Sequence, residues 1–176
     1  MVSVAKEFSD FLEVCERDIF SFCKYLTMGN GDVEELYQET VLAAFLAVDK
    51  IDGAQNPKAF VYAIAVGKWK NMRRKATRRS VIAPSADEDA LLTVAGSDDV
   101  ETAAEKNELK RAIAIALSGI DDKFRIPLIL HYFDDYSLEE IARICSIPKG
   151  TVKSRLHKGR GLLRKGLMKE GYNGTQ

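Results

Sequence analysis

The sequence predicts an all-α protein: two small helical domains joined by a flexible acidic linker, the C-terminal one containing a helix-turn-helix. Three observations carry this. Apolar residues recur every three or four positions through most of the chain, which is the period of a helix with one buried stripe. One stretch, Ser80–Val100, lacks that period, and Ser80–Glu105 carries acids without a single base. Near the C-terminus, a capping sequence, a short helix, a tight turn and a second helix with a basic outer face follow one another.

The first helix runs from Phe8 to about Thr27, with Phe8, Leu12, Cys15, Ile19, Phe22 and Leu26 on its stripe. Met28-Gly29-Asn30-Gly31 breaks it. Asp32, followed three residues later by Glu35, resembles a capping box opening a second helix that reaches about Val48. Its expected core face is Leu36, Tyr37, Val41, Ala44, Phe45 and Val48. The other side places Glu35, Gln38 and Glu39 beside Leu42 and Leu46, and two leucines on a polar face invite a partner. Asp49–Pro57, with Gly53, Asn56 and Pro57, reads as a loop. Lys58–Arg79 is again helical, apolar early and strongly basic late.

Ser80–Val100 contains Pro84, Gly96 and several serines, and reads as linker. Helix resumes near Val100 with Leu109, Ile113, Ala116 and Leu117 as its stripe. Ser118-Gly119 interrupts it, and Asp121 or Asp122 can cap the next helix. Pro127 lies within that helix and predicts a late start or a local bend. Ser137-Leu138-Glu139-Glu140 is a capping box for a helix ending at Ser146. Ile147-Pro148-Lys149-Gly150 supplies the turn, and the last helix is expected to begin near Thr151, whose hydroxyl could cap it. Ala142 is small enough for two helices to cross closely. Val152, Leu156, Gly159, Leu163 and Leu167 form the inner stripe of the last helix, while Lys153, Ser154, His157, Lys158, Arg164 and Lys165 project outward.

Length, 176 residues, allows one domain or two small ones, and a hydrophobic fraction of 46% excludes wholesale disorder. The net charge is zero, yet its blocks alternate in sign. Residues 1–56 are acidic. Pro57–Arg79 holds Lys58, Lys68, Lys70, Arg73, Arg74, Lys75, Arg78 and Arg79 without an acid. Ser80–Glu105 holds Asp87, Glu88, Asp89, Asp98, Asp99, Glu101 and Glu105 without a base. Lys149–Lys169 is basic again. Two basic segments far apart suggest two contacts to a phosphate backbone, against the plainer reading of solvated helix faces. Cys15, Cys23 and Cys145 include no C-x-x-C pair, so they read as buried small side chains and not as a disulfide or zinc framework. No metal site and no cofactor is expected. No apolar run is long enough to cross a bilayer, and Lys6, Glu7 and Asp10 stand where a secretory leader would be apolar, so membrane insertion is not expected and the cytoplasm is the expected location.

Gly150-Thr151-Val152-Lys153-Ser154-Arg155-Leu156-His157-Lys158, behind Ser137-Leu138-Glu139-Glu140-Ile141-Ala142, closely resembles the region-four helix-turn-helix of extracytoplasmic-function (ECF) sigma factors, bacterial members of the sigma-70 family. Asp32-Val33-Glu34-Glu35-Leu36 with Gln38-Glu39-Thr40, Ala59-Phe60-Val61-Tyr62 and the Arg-rich helix end resemble region two. The resemblance covers about Glu7–Arg79 and Glu105–Lys169, and implies a region-two domain over 1–79, a linker over 80–105 and a region-four domain over 106–176.

It also implies roles. Glu35, Leu36, Gln38, Glu39 and Thr40, with Leu42 and Leu46, would dock on the clamp helices of the largest subunit of core RNA polymerase. The flap of the second-largest subunit and an anti-sigma factor are further implied partners. Asn56, Lys58, Lys68, Lys70, Arg73 and Arg74 would bind the minus-ten element of promoter DNA, with bases of the melted strand captured near the Asp49–Pro57 loop. Thr151, Lys153, Ser154, Arg155, Lys158 and Arg160 would bind the minus-thirty-five element, bases and phosphates together. Trp69 could stack on a base or pack, and packing is the simpler reading. The acidic linker would be drawn along a cationic channel of the polymerase.

Rival readings explain less. A stand-alone helix-turn-helix regulator leaves the basic Lys58–Arg79 helix idle. A recombinase or nuclease needs a catalytic set, yet Glu34, Glu35 and Glu39 are the only dense carboxylates near that helix, and His131 and His157 are isolated. An adaptor that binds polymerase without reading DNA would give no promoter selectivity.

Overall fold

The computed structural model describes residues 2–28, 32–48, 56–82 and 102–172. They form seven helices: α1 (Val2–Thr27), α2 (Val33–Leu46), α3 (Pro57–Ile82), α4 (Thr102–Ser118), α5 (Asp122–Tyr132), α6 (Leu138–Cys145) and α7 (Lys149–Lys169), with no strand among the described residues. The chain divides into two compact units, residues 1–90 with 143–146 and residues 91–142 with 147–176. The breaking sequence at 29–31, most of the Asp49–Pro57 loop and all of the linker from 83 to 101 lie outside the described residues. Helix takes in both ends of the predicted linker, since α3 continues to Ile82 and α4 begins at Thr102.

In the first unit α1, α2 and α3 pack on one another. The expected α1 stripe holds at Phe8, Ile19, Phe22 and Leu26, joined by Cys23 from the same side, whereas Leu12 and Cys15 are only half-buried. Phe22 stacks flat on Tyr62 of α3, centroids 4.0 Å apart, and the Tyr62 hydroxyl donates to the Asp18 carbonyl at 3.3 Å. Burial pushes the Cys23 thiol up to about 12, so it stays protonated and serves as packing.

Helix α2 starts where expected but by different means. Asp32 makes no side-chain capping bond; its carbonyl simply accepts from the Leu36 amide at 2.9 Å. The core stripe is Leu36, Thr40 and Ala44, while Phe45 is 45% exposed. Thr40 can lie in the core because its hydroxyl donates to the Leu36 carbonyl at 2.6 Å, leaving its methyl to pack. Helix α3 has a cap that the loop reading of Asn56-Pro57 missed: the Asn56 Oδ1 accepts from the amides of Lys58 and Ala59, at 3.1 and 3.3 Å. Pro57 occupies the first helical position, where a missing N–H costs nothing.

In the second unit α7 packs on both α4 and α5. Small residues carry much of α4's inner face, with Ala112, Ala114, Ala116 and Leu117 buried; Leu109, assigned to that face, is 42% exposed. Asp121 caps α5 by accepting from the Lys123 amide at 3.2 Å. Neither a late start nor a first-turn position accommodates Pro127, which sits buried in the second turn of an uninterrupted helix.

Candidate nucleic-acid interface

The helix-turn-helix is assembled by local chemistry. At the start of α6, the Ser137 amide donates to Glu140 Oε2 at 2.9 Å and the Glu140 amide donates back to Ser137 Oγ at 3.3 Å, completing the expected capping box. At its end, Ser146 takes a left-handed conformation, φ 54°. The Ile147 amide then reaches the Ala142 carbonyl at 3.0 Å, and the Ser146 amide reaches that of Arg143 at 3.2 Å. Those two bonds are a Schellman ending, with serine where glycine usually stands. The turn is thus Ser146-Ile147-Pro148, one step earlier than predicted. Helix α7 begins at Lys149, so Thr151 lies inside its first turn and does not cap it. Lys149 pairs with Glu139 across the turn.

Val152, Leu156 and Gly159 of α7 are buried, and Leu163 and Leu167 half-buried, so the predicted inner stripe is the stripe observed. Lys153, Ser154, His157, Lys158, Arg160, Arg164 and Lys165 are exposed; Thr151 and Arg155 are half-buried at the edges of that face. The Ser154 hydroxyl donates to the Thr151 carbonyl at 3.0 Å. Two glycines fix how close α7 comes to its neighbours: Gly159, already on the expected stripe, and Gly166, which the stripe left out. A β-carbon at Gly159 would stand 3.0 Å from the Leu128 side chain of α5, and one at Gly166 only 2.7 Å from Ala116 Cβ of α4.

A second basic surface lies on α3. Lys70, Arg73 and Arg74 are exposed, with Arg73 over the Trp69 ring at 5.7 Å and Arg74 bonded to Asn71. Trp69 itself is buried, which agrees with packing. Lys70 Nζ donates to the Cys145 carbonyl at 3.2 Å, and the other three residues assigned to the minus-ten element are likewise engaged within the unit. The Asn56 side-chain oxygen is the α3 cap, Lys58 pairs with Asp18 at 2.5 Å, and Lys68 pairs with Glu39 at 2.9 Å.

Burial divides the residues expected to form the docking face. Leu36 and Thr40 are fully buried and support α2 from inside, so they form no part of its outer surface. Glu35, Gln38, Leu42 and Leu46 are exposed, the leucines 60% and 75%, and Glu39 is half-buried. Lys68 holds the Glu39 carboxyl below its ordinary range through the hydrogen bond and its charge.

Comparison with known proteins agrees with this layout. The family model "Sigma-70 region 2" matches residues 11–79, and "Sigma-70, region 4" matches residues 110–163. Together they define a sigma factor of the sigma-70 class. The ECF RNA polymerase sigma factor SigW of Bacillus subtilis is 32% identical over 166 residues, 91% of this chain and 88% of the relative. The ECF RNA polymerase sigma-E factor of Escherichia coli K12 is 31% identical over 139 residues, covering 74% and 71%. Among solved structures, the sigma factor RpoE of Bartonella quintana, in complex with the anti-sigma factor NepR, shares the fold at 23% identity. Its TM-score is 0.78, over 93% of this chain and 98% of that one. The chain belongs to the ECF RNA polymerase sigma factors and is a promoter-directing protein of that family. No described helix is long and apolar enough to cross a membrane.

Proposed function

We propose that the protein, without catalysis of its own, docks on core RNA polymerase through the exposed face of α2, Glu35, Gln38, Glu39, Leu42 and Leu46. The basic end of α3 binds the melted minus-ten element, and α7 enters the major groove at minus thirty-five. The observation that carries this reading is the α7 surface: Lys153, Ser154, Lys158 and Arg160 are exposed, while Val152, Leu156 and Gly159 are buried. An amphipathic hairpin with no DNA partner has no need of an outer face that carries bases and no acid. The clamp helices of the largest subunit and the flap of the second-largest are the polymerase elements engaged, and the cytoplasm is where these partners meet.

An anti-sigma factor is the restraining partner in this reading, in keeping with two fold neighbours that were solved as complexes. One is the NepR complex; the other, CnrH with the cytosolic domain of CnrY, has 18% identity and a TM-score of 0.64. Run-off transcription with purified core polymerase and a library of genomic fragments tests the proposal. Discrete transcripts that depend on the added protein are expected, and an identical pattern with and without it would falsify the reading.

A further inference from the structure

Helix α7 comes so close to α5 at Gly159 that a β-carbon there would stand 3.3 Å from the Phe124 carbonyl. That approach brings the neighbouring residue, Lys158, over the Phe124 ring, its Nζ 5.1 Å from the centroid. The Nζ of Lys123, from the first turn of α5, lies at the same distance, 5.1 Å. A ring face carries negative potential and attracts an ammonium, which narrows the otherwise broad range of a lysine side chain. Sharing one ring, the two ammonium groups are at most about 10 Å apart, roughly one Debye length at 0.1 M salt. Two like charges anchored on one ring are relieved by an anion that both can reach. Asp121 is the acid nearby, its Oδ2 3.2 Å from Lys123 Nζ, but the other oxygen of the same carboxylate already caps α5. That exposed pair is open to competition from a phosphate.

We propose that Phe124 is a positioning residue which holds Lys123 and Lys158 as a paired clamp for the DNA backbone at one side of α7. The clamp extends the minus-thirty-five interface onto the start of α5. It rests on the reading of α7 as the DNA-entering helix.

The test uses holoenzyme reconstituted with full-length protein and a genomic fragment that is active in the run-off assay. Affinity is titrated from about 50 to 200 mM salt, where each phosphate neutralised contributes about 0.9 to the slope. Lys123→Gln is expected to make the slope shallower by about that amount. Phe124→Leu keeps the apolar bulk and is expected to weaken binding roughly fivefold, whereas Phe124→Tyr keeps the ring and restores it. An unchanged slope for Lys123→Gln overturns the proposal, even should Phe124→Leu fail to fold. Equal losses for Phe124→Leu and Phe124→Tyr overturn it too, since they would mean that the side chain only packs. Lys158→Ala separates the two levels of inference. Weaker binding there, with Lys123→Gln unaffected, removes the clamp and leaves α7 as the reading helix, while normal binding by Lys158→Ala counts against α7 itself.

Discussion

Lys68 of α3 donates to Glu39 of α2 across 2.9 Å, so two side chains that the sequence assigned to different partners, DNA and polymerase, hold each other in the free protein. The pair ties α2 to α3 within one unit. Because the Glu39 carboxyl is held below its ordinary value of 4.5 by Lys68, its stabilisation is fully present above that value. It is lost as pH falls through the lowered one. Both side chains are partly exposed, 33% and 46%, which limits the effect to under about 1 kcal/mol. Glu39→Gln is expected to cost that much at pH 7, with the deficit closing below pH 4.5, in denaturant titrations at a series of pH values.

Leu36 is buried and Leu42 exposed on α2, and the two are expected to fail in opposite ways. Leu42 is 60% exposed, so Leu42→Asp should leave helical content intact and weaken binding to core polymerase at least tenfold, a loss of about 1.4 kcal/mol. Leu36 is fully buried, and Leu36→Asp would place an unpaired carboxylate in the core and unfold the first unit. Circular dichroism and core-binding titrations of both variants check the assignment. Normal binding by folded Leu42→Asp would move the docking surface elsewhere.

How much of this was legible in the sequence depended on how local each interaction is. The Ser137–Glu140 capping box was readable because its partners stand three residues apart on one strand of chain. The α7 stripe was readable because its period repeats over five positions. The Asn56-Pro57 helix start was also present in the sequence as a cap followed by a first-position proline, but loop composition obscured it. That Leu36 and Thr40 are buried was not legible from the motif, because a family motif marks residues by recurrence and mixes supporting residues with surface ones. Lys68–Glu39 and Gly166–Ala116 were not legible at all, since each joins residues far apart in sequence that only tertiary packing brings together.

Three glycines of α7 make a matched test of that packing. At Gly161 a β-carbon meets nothing within 4 Å, so Gly161→Ala should stabilise the protein by about 1 kcal/mol through helix propensity alone. At Gly166 the same atom would meet Ala116 Cβ at 2.7 Å, and the helices must separate. The propensity gain is overridden and Gly166→Ala should destabilise by about 1–3 kcal/mol. Gly159→Ala would meet the buried Leu128 side chain at 3.0 Å and the Phe124 carbonyl at 3.3 Å, a milder overlap, and should fall between them. Thermal melts of the three variants are expected in that order, and a stabilised Gly166→Ala would contradict the close α4–α7 crossing.

Ser146 gives the sharpest expectation for the turn between α6 and α7. Its φ of 54° brings its β-carbon toward a carbonyl oxygen, at a cost of about 1–2 kcal/mol for a residue with a side chain. Glycine removes that cost but enlarges the unfolded ensemble, which gives back roughly 0.4–1 kcal/mol. The balance leaves Ser146→Gly more stable by about 0.5–1 kcal/mol. Valine, stiff at χ1 and poorly suited to this conformation, is expected to lose stability. Because the two bonds that close the turn are made by the backbone amides of Ser146 and Ile147, glycine should keep both, and promoter affinity should be unchanged. If Ser146→Gly instead melted at a lower temperature than the parent, the serine side chain would be contributing to the turn, and the left-handed residue would not be its point of strain.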